Sequence, residues 1–258
     1  MRTTGLLVSE KRGEGVTWTY SYDFQGNLTS KSSGALEHQY FYNLKGKLSR
    51  YCLVQKYMNS SQLPDTRTIV YGEYTYNGLG ERVKKVYVTS DGNEGALISI
   101  YDPQGNEVFR QQTEGSETVA FFLFTMMLLP RVRIRKESGG KITGFNPLRV
   151  AFRFYDQVGS LRLTTDGNGG IQEIYDYTPY GGVTYRNTPT ATDERFGTYT
   201  FDEESGLAYA RSRYYDPTTG AFTQEDPARD GSNWYGYCGG DPVNMMDPTG
   251  LWAAFIHT

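Results

Sequence analysis

The sequence predicts an all-β protein built from consecutive hairpins. Three observations carry that reading. The 258 residues include 22 tyrosines, 13 phenylalanines and 30 glycines, and aromatics favour the pleated surface of a strand while glycine serves tight turns. A short unit recurs along the chain: an aromatic, then Asp or Asn, two variable residues, and glycine. After each glycine a new run with strand character begins, as in Asn27-Leu28-Thr29 and Glu81-Arg82-Val83.

Each part of the unit has a physical role. The aromatic ends one strand. Asp or Asn folds the turn by accepting hydrogen bonds from the backbone two or more residues downstream. Glycine takes a left-handed conformation that other residues resist. The unit is read at Tyr22-Asp23-Phe24-Gln25-Gly26, Tyr42-Asn43-Leu44-Lys45-Gly46, Tyr76-Asn77-Gly78-Leu79-Gly80 and Tyr101-Asp102-Pro103-Gln104-Gly105. It returns at Tyr155-Asp156-Gln157-Val158-Gly159, and with one extra residue at Tyr215 to Gly220. Tyr177-Thr178-Pro179-Tyr180-Gly181 keeps the frame but loses the acid. Leu163 to Gly169 reads as a further hairpin. Hairpins at this spacing make a meander in which each unit buries its apolar face against its neighbours.

Between Gly115 and Arg149 no clear unit appears. That stretch holds the longest apolar run, Ala120 to Leu129, too short for the roughly 20 residues of a membrane span and read as a buried strand or short core helix. Arg131, Arg133, Arg135 and Lys136 alternate as one solvated face of a strand. The net charge of −3 carries no nucleic-acid footprint. Two cysteines, Cys52 and Cys238, lack zinc-finger spacing; they leave a disulfide open, with two buried free thiols as the plainer reading. Two histidines, His38 and His257, are too few for a histidine-rich metal site, and neither comes with the Gly-x-Ser-x-Gly of a hydrolase nucleophile. No phosphate loop or dinucleotide fingerprint is present, and no cofactor is expected. The polar start Met1-Arg-Thr-Thr-Gly has no apolar signal-peptide core.

The recurring unit resembles the YD repeat of bacterial Rhs proteins, toxin-complex C subunits and animal teneurins. From Phe152 the match tightens. Tyr155 to Arg162 is similar to that family's DHLGS-x-R segment, with Gln157-Val158 in place of His-Leu. Glu173 to Gly181 resembles its Y-x-Y-x-P-Y/F-G unit, and Ala210 to Pro217 its ARYYDP stretch. Asp226-Pro227, Asn233-Trp234-Tyr235-Gly236-Tyr237, Asp241-Pro242-Val243-Asn244 and Asp247-Pro248-Thr249-Gly250-Leu251 complete a series similar to the Rhs repeat-associated core.

The resemblance implies an organisation of YD hairpins over 1–150 (divergent over 115–149), a core over 151–251 and a residual tail over 252–258. It implies hairpins forming part of a spiralling β-shell, with the segment after Gly181 plugging or capping one end. It also implies partners: the rest of such a shell and an encapsulated C-terminal effector, in a secreted or cell-surface bacterial setting. No nucleic acid and no membrane span are expected. An open sheet would leave strand edges and aromatics exposed, so the chain is expected to be a C-terminal fragment, a truncated gene product or one part of a larger assembly.

In bacterial members the core is an intramolecular aspartyl protease that cuts after the leucine of Asp-Pro-x-Gly-Leu. The resemblance therefore implies Asp226, Asp247 and Arg213 as catalytic residues and Leu251–Trp252 as the scissile bond. The chemistry suits the set. One carboxylate activates water and a second, protonated, polarises the carbonyl and later protonates the amine. An arginine holds a carboxylate in a paired geometry or stabilises the oxyanion. A tethered bond needs no substrate affinity. Against this stands a plainer expectation. Asp216, Asp226, Asp241 and Asp247 all precede proline, as turn-capping aspartates do. On that reading the chain is a structural or adhesive surface module, with glycans or cell-surface partners as ligands.

Overall fold

The computed structural model describes residues 6–13, 15–115, 117–122, 132–136, 152–187, 193–229 and 231–256. Eleven strands make one antiparallel sheet in strict chain order. They are β1 (Ser9–Arg12), β2 (Val16–Tyr22), β3 (Leu28–Ser33), β4 (Leu36–Tyr42), β5 (Leu48–Met58), β6 (Pro64–Tyr76), β7 (Arg82–Val88), β8 (Glu94–Tyr101), β9 (Glu107–Glu114), β10 (Glu117–Phe122) and β11 (Val132–Lys136). A second sheet joins β12 (Phe152–Tyr155), β13 (Leu161–Thr165), β14 (Ile171–Tyr177) and β15 (Val183–Arg186). A third joins β16 (Thr200–Asp202), β17 (Leu207–Ala210), β18 (Arg213–Asp216) and β19 (Ala221–Phe222). A last pair, β20 (Met245–Met246) and β21 (Ala254–Phe255), closes the described chain. The all-β expectation and the hairpin order hold.

The repeated turn forms as its chemistry requires. In the first unit Asp23 Oδ1 accepts the amides of Gln25 and Asn27, both at 2.9 Å. The Gly26 amide donates to the Asp23 carbonyl, with Gly26 at φ +82°. The same bonds recur at Asn43, Asn77, Asp102, Asp156 and Asp166. Thr178 replaces the acid in its unit, and its hydroxyl accepts the Gly182 amide at 3.0 Å. Two further copies escape the sequence pattern. Asn59 folds a turn in which Gln62 takes the glycine's place at φ +58°, and Thr89 opens another that ends on Gly92.

The tyrosine that opens each unit does more than end a strand. It pairs with the residue six positions on, at a break in register: Tyr22 with Leu28, Tyr42 with Leu48, Tyr76 with Arg82. In four units the hydroxyl then reaches back to an earlier turn. Tyr42 donates to the Leu28 carbonyl at 3.0 Å, Tyr76 to Leu48 at 2.7 Å, Tyr101 to Arg82 at 3.0 Å and Tyr177 to Leu161 at 2.9 Å. Each accepting residue is the first of the strand after the earlier turn. The bulge turns the ring along the sheet, and the hydroxyl satisfies a carbonyl that the break in pairing would otherwise leave unmet.

One face of the large sheet is covered by the C-terminal segment. Tyr20, Leu28, Tyr40, Leu48, Tyr51, Val70 and Tyr74 pack with Leu207, Tyr209 and Tyr214. A second aromatic cluster, with Phe196, Tyr199, Tyr215, Phe222 and Tyr237, lies within the C-terminal segment itself. Residues 120–122 of the apolar run fall in β10, and the rest of that run lies outside the described residues. The basic alternation falls partly on β11, with Arg131 outside them. Cys52 and Cys238 are buried thiols.

Candidate functional site

The C-terminal segment is fastened to the sheet by buried charge as well as by rings. Arg82 and Lys85 on β7 meet Asp202 and Glu204, at the turn after β16. Arg82 pairs with Asp202, and Lys85 lies 2.9 Å from Asp202 and 3.2 Å from Glu204. Tyr74 donates to Glu204 at 3.0 Å, and Arg82 to the Tyr214 hydroxyl at 2.9 Å. Burial pulls the Arg82 guanidinium down, but Asp202 together with Tyr214 and Tyr76 outweighs it and the net shift is upward. Burial pushes the Glu204 carboxyl above its ordinary range, with Lys85 opposing. A second clamp joins Lys31 of β3 to Asp216 at 2.9 Å. Burial raises the Asp216 carboxyl, but Lys31 and the Thr218 bonds outweigh it and hold the group low. Main-chain contacts finish the attachment: the Leu28 amide donates to the Thr223 carbonyl at 2.8 Å, and the Tyr235 hydroxyl to Gly26 at 2.7 Å.

These anchors place β18, whose first residue is Arg213. The side chain is buried, with its guanidinium carbon 3.7 Å from the Phe222 ring centroid. Nε donates to the Gly250 carbonyl at 2.5 Å and Nη1 to the Trp234 carbonyl at 3.0 Å. Nη2 lies 3.9 Å from Asp247 Oδ2, a loose ion pair. Burial pulls the guanidinium below its usual value, and the charges of Asp226 and Asp247 act against that. The fold thus brings both carboxylates within electrostatic reach of one arginine.

Asp247 is buried, and its Oδ1 accepts the amides of Thr249 (3.2 Å), Gly250 (2.8 Å) and Leu251 (3.2 Å). Tyr199 donates to its carbonyl. Asp226 is half-buried. Its amide donates to the Trp234 carbonyl and its Oδ1 accepts the Ala228 amide, each at 2.9 Å. Asp216 and Asp241 also fold turns, onto Thr218 and Asn244. All four Asp-Pro aspartates therefore cap turns, as the plainer expectation has it; Asp247 also pairs loosely with Arg213, and the Asp226 amide shares the Trp234 carbonyl with it.

The turn ending on Leu251 sits tightly against β17 and β18. Gly250 has φ +70°, and a Cβ there would lie 2.7 Å from the Ala210 carbonyl oxygen. The Ser212 amide donates to the Thr249 carbonyl at 3.1 Å. Leu251 and Trp252 are exposed, at 39% and 60%. Arg213 thus grips the carbonyl one residue before the Leu251–Trp252 bond, so its direct contact is to the turn that leads into the bond. Beyond Trp252 the chain turns back and pairs with β20: Met245 opposes Phe255 and Met246 opposes Ala254. No sequence signal pointed to that pairing, or to the Arg82–Asp202 contact across 120 positions.

No family model matches the chain. It is 26% identical to the tRNA nuclease WapA of Bacillus subtilis (strain 168), over 97% of this chain and 12% of that protein. It is 27% identical to the toxin subunit YenC1 of Yersinia entomophaga, over 83% of this chain and 22% of that one. Among solved structures, TcdB2-TccC3 superposes with a TM-score of 0.64 at 23% identity, covering 92% of this chain and 14% of that chain. The chain spans about an eighth of the nuclease's length.

Proposed function

We propose, for a chain that is an Rhs/YD-repeat protein, that it forms the C-terminal part of a toxin-enclosing β-shell and cuts its own backbone after Leu251. Similarity to toxin subunits and a shared fold with TcdB2-TccC3 support the shell. The enclosed effector, a secreted or cell-surface setting and the boundary between hairpins and core near residue 151 belong to the same proposal.

One observation carries the cleavage reading. Arg213 grips the Gly250 carbonyl, next to the bond in question, while Asp226 and Asp247 both act on its charge. Asp247 is pinned by three amides of the turn it would help to cut. In the reaction one carboxylate takes a proton from water as the oxygen adds to the Leu251 carbonyl carbon. The carbon–nitrogen bond then breaks, and the other carboxyl delivers its proton to the departing Trp252 amine. One water is consumed, leaving a Leu251 carboxylate and a Trp252 amine. Arg213 is a positioning residue for the strand and an electrostatic partner of the two acids.

The test is the intact mass of the chain extended by a neutral reporter domain after Thr258, beside Asp226→Asn and Asp247→Asn. The expected result is a new N-terminus at Trp252 in the parent, absent from both variants. Uncut protein in all three would sink the reading. The same turns favour a second one: every Asp-Pro aspartate is satisfied as a turn cap, so the core serves as architecture for a structural or adhesive module.

A further inference from the structure

We propose that β20 is a docking strand that holds the segment after the scissile bond through its main chain. The inference rests on the self-cleavage reading for its role, but the docking is measurable without it.

The template has bracing contacts of its own. Asp241 folds the turn into β20: its carbonyl accepts the Met245 amide at 3.1 Å, and its carboxylate accepts Asn244 Nδ2 at 3.0 and 3.1 Å. Met245 packs on the aromatic cluster of Phe196, Tyr199, Tyr215 and Tyr237. Ala253, from beyond the scissile bond, packs on the same cluster. The segment then adds as an antiparallel partner, Met245 opposite Phe255 and Met246 opposite Ala254, and the Ile256 amide donates to the Asn244 carbonyl at 2.9 Å. Its two largest side chains point largely to solvent, Trp252 at 60% and Phe255 at 67% exposed. A strand added to a fixed edge in this way is gripped by backbone groups that every residue but proline carries.

The scissile bond is therefore held from both sides. Before it, Asp247 and Arg213 fix the turn and Gly250 allows no side chain. After it, β20 fixes the direction of the leaving strand. On the glycine side a Cβ would meet the Ala210 carbonyl oxygen, and on the leaving side a proline would break the ladder. The bond lies between two restraints, so its approach to the carboxylates is set by geometry rather than by affinity.

The experiment uses the full chain with the reporter after Thr258 and compares Ile256→Pro, which deletes the donor, with Ile256→Ala, which keeps it. Two quantities are read. In the Asp226→Asn background, hydrogen exchange by mass spectrometry follows the amides of 252–256; in the unaltered background, denaturing electrophoresis follows the rate of cutting. Protection in the parent and in Ile256→Ala is expected, with loss in Ile256→Pro and cutting slowed about tenfold, the scale of one main-chain hydrogen bond. Equal protection and equal cutting in the proline and alanine variants would overturn the docking strand, as would an unprotected segment in the parent. Should the parent prove uncut, cleavage fails as a function, and the exchange contrast alone decides whether β20 docks the segment.

Discussion

The sheet of β1–β11 and the segment from Asp193 to Ile256 are stabilised by different means. The sheet repeats one local device: a side chain caps its own turn, a glycine follows, and a tyrosine reaches back to the previous unit. Its contacts are between chain neighbours, and each is modest. The C-terminal segment also caps turns with aspartates, but its attachment repeats nothing. It is held by single long-range contacts, several of them between buried charges that need one another. A repeated local device tolerates loss at one position, whereas a buried charge left without its partner does not.

The sharpest way to break this contrast is to strand those charges. Asp202→Ala leaves Arg82 without its carboxylate and two buried cations sharing only Glu204, and is expected to cost about 3–5 kcal/mol by urea denaturation. A cost near that of a tyrosine hydroxyl would remove the distinction. Acid gives the next effect. Burial, with Lys31 nearby, lowers the His38 pKa to about 4. The unfolded chain binds that proton below its ordinary value of about 6.5 and the folded chain does not. Stability should thus fall as pH drops from about 6.5 to about 4, by up to ~1.4 kcal/mol per pH unit. His38→Gln should flatten that part of the profile, and an unchanged slope in the variant would refute the assignment. Tyr42→Phe removes one reach-back bond and should cost about 1 kcal/mol, much less than Asp202→Ala. The smallest change is a gain. Gln62 stands where the other turns have glycine, at φ +58°, and Gln62→Gly should raise stability by roughly 0.5–1 kcal/mol as relief of strain exceeds the added chain entropy. A lower urea midpoint would show the strain is absent.

How much could be read in advance follows the same division. The hairpins were legible because Asp-x-x-Gly is complete within five residues. The turns at Asn59 and Thr89 were not, since Gln62 hides one and a threonine replaces the acid in the other. The buried pairs join positions more than a hundred residues apart, and no local pattern marks them. At the site, the resemblance named Arg213, Asp226 and Asp247; in the fold Asp247 pairs loosely with the arginine and the Asp226 amide shares the Trp234 carbonyl with it. Resemblance did not say that Arg213 would hold Gly250, or that β21 would return to β20, because both depend on how the turn at Asp247 is seated.

The reach-back tyrosines give the sheet a direction. Each unit borrows a carbonyl from the unit before it and lends one to the unit after. Removing whole units from the trailing end leaves only a lent carbonyl without its taker, whereas a break inside a unit leaves a hydroxyl with nowhere to go. Genes of this architecture should then lengthen and shorten by whole hairpins, with recombination points falling just before a tyrosine.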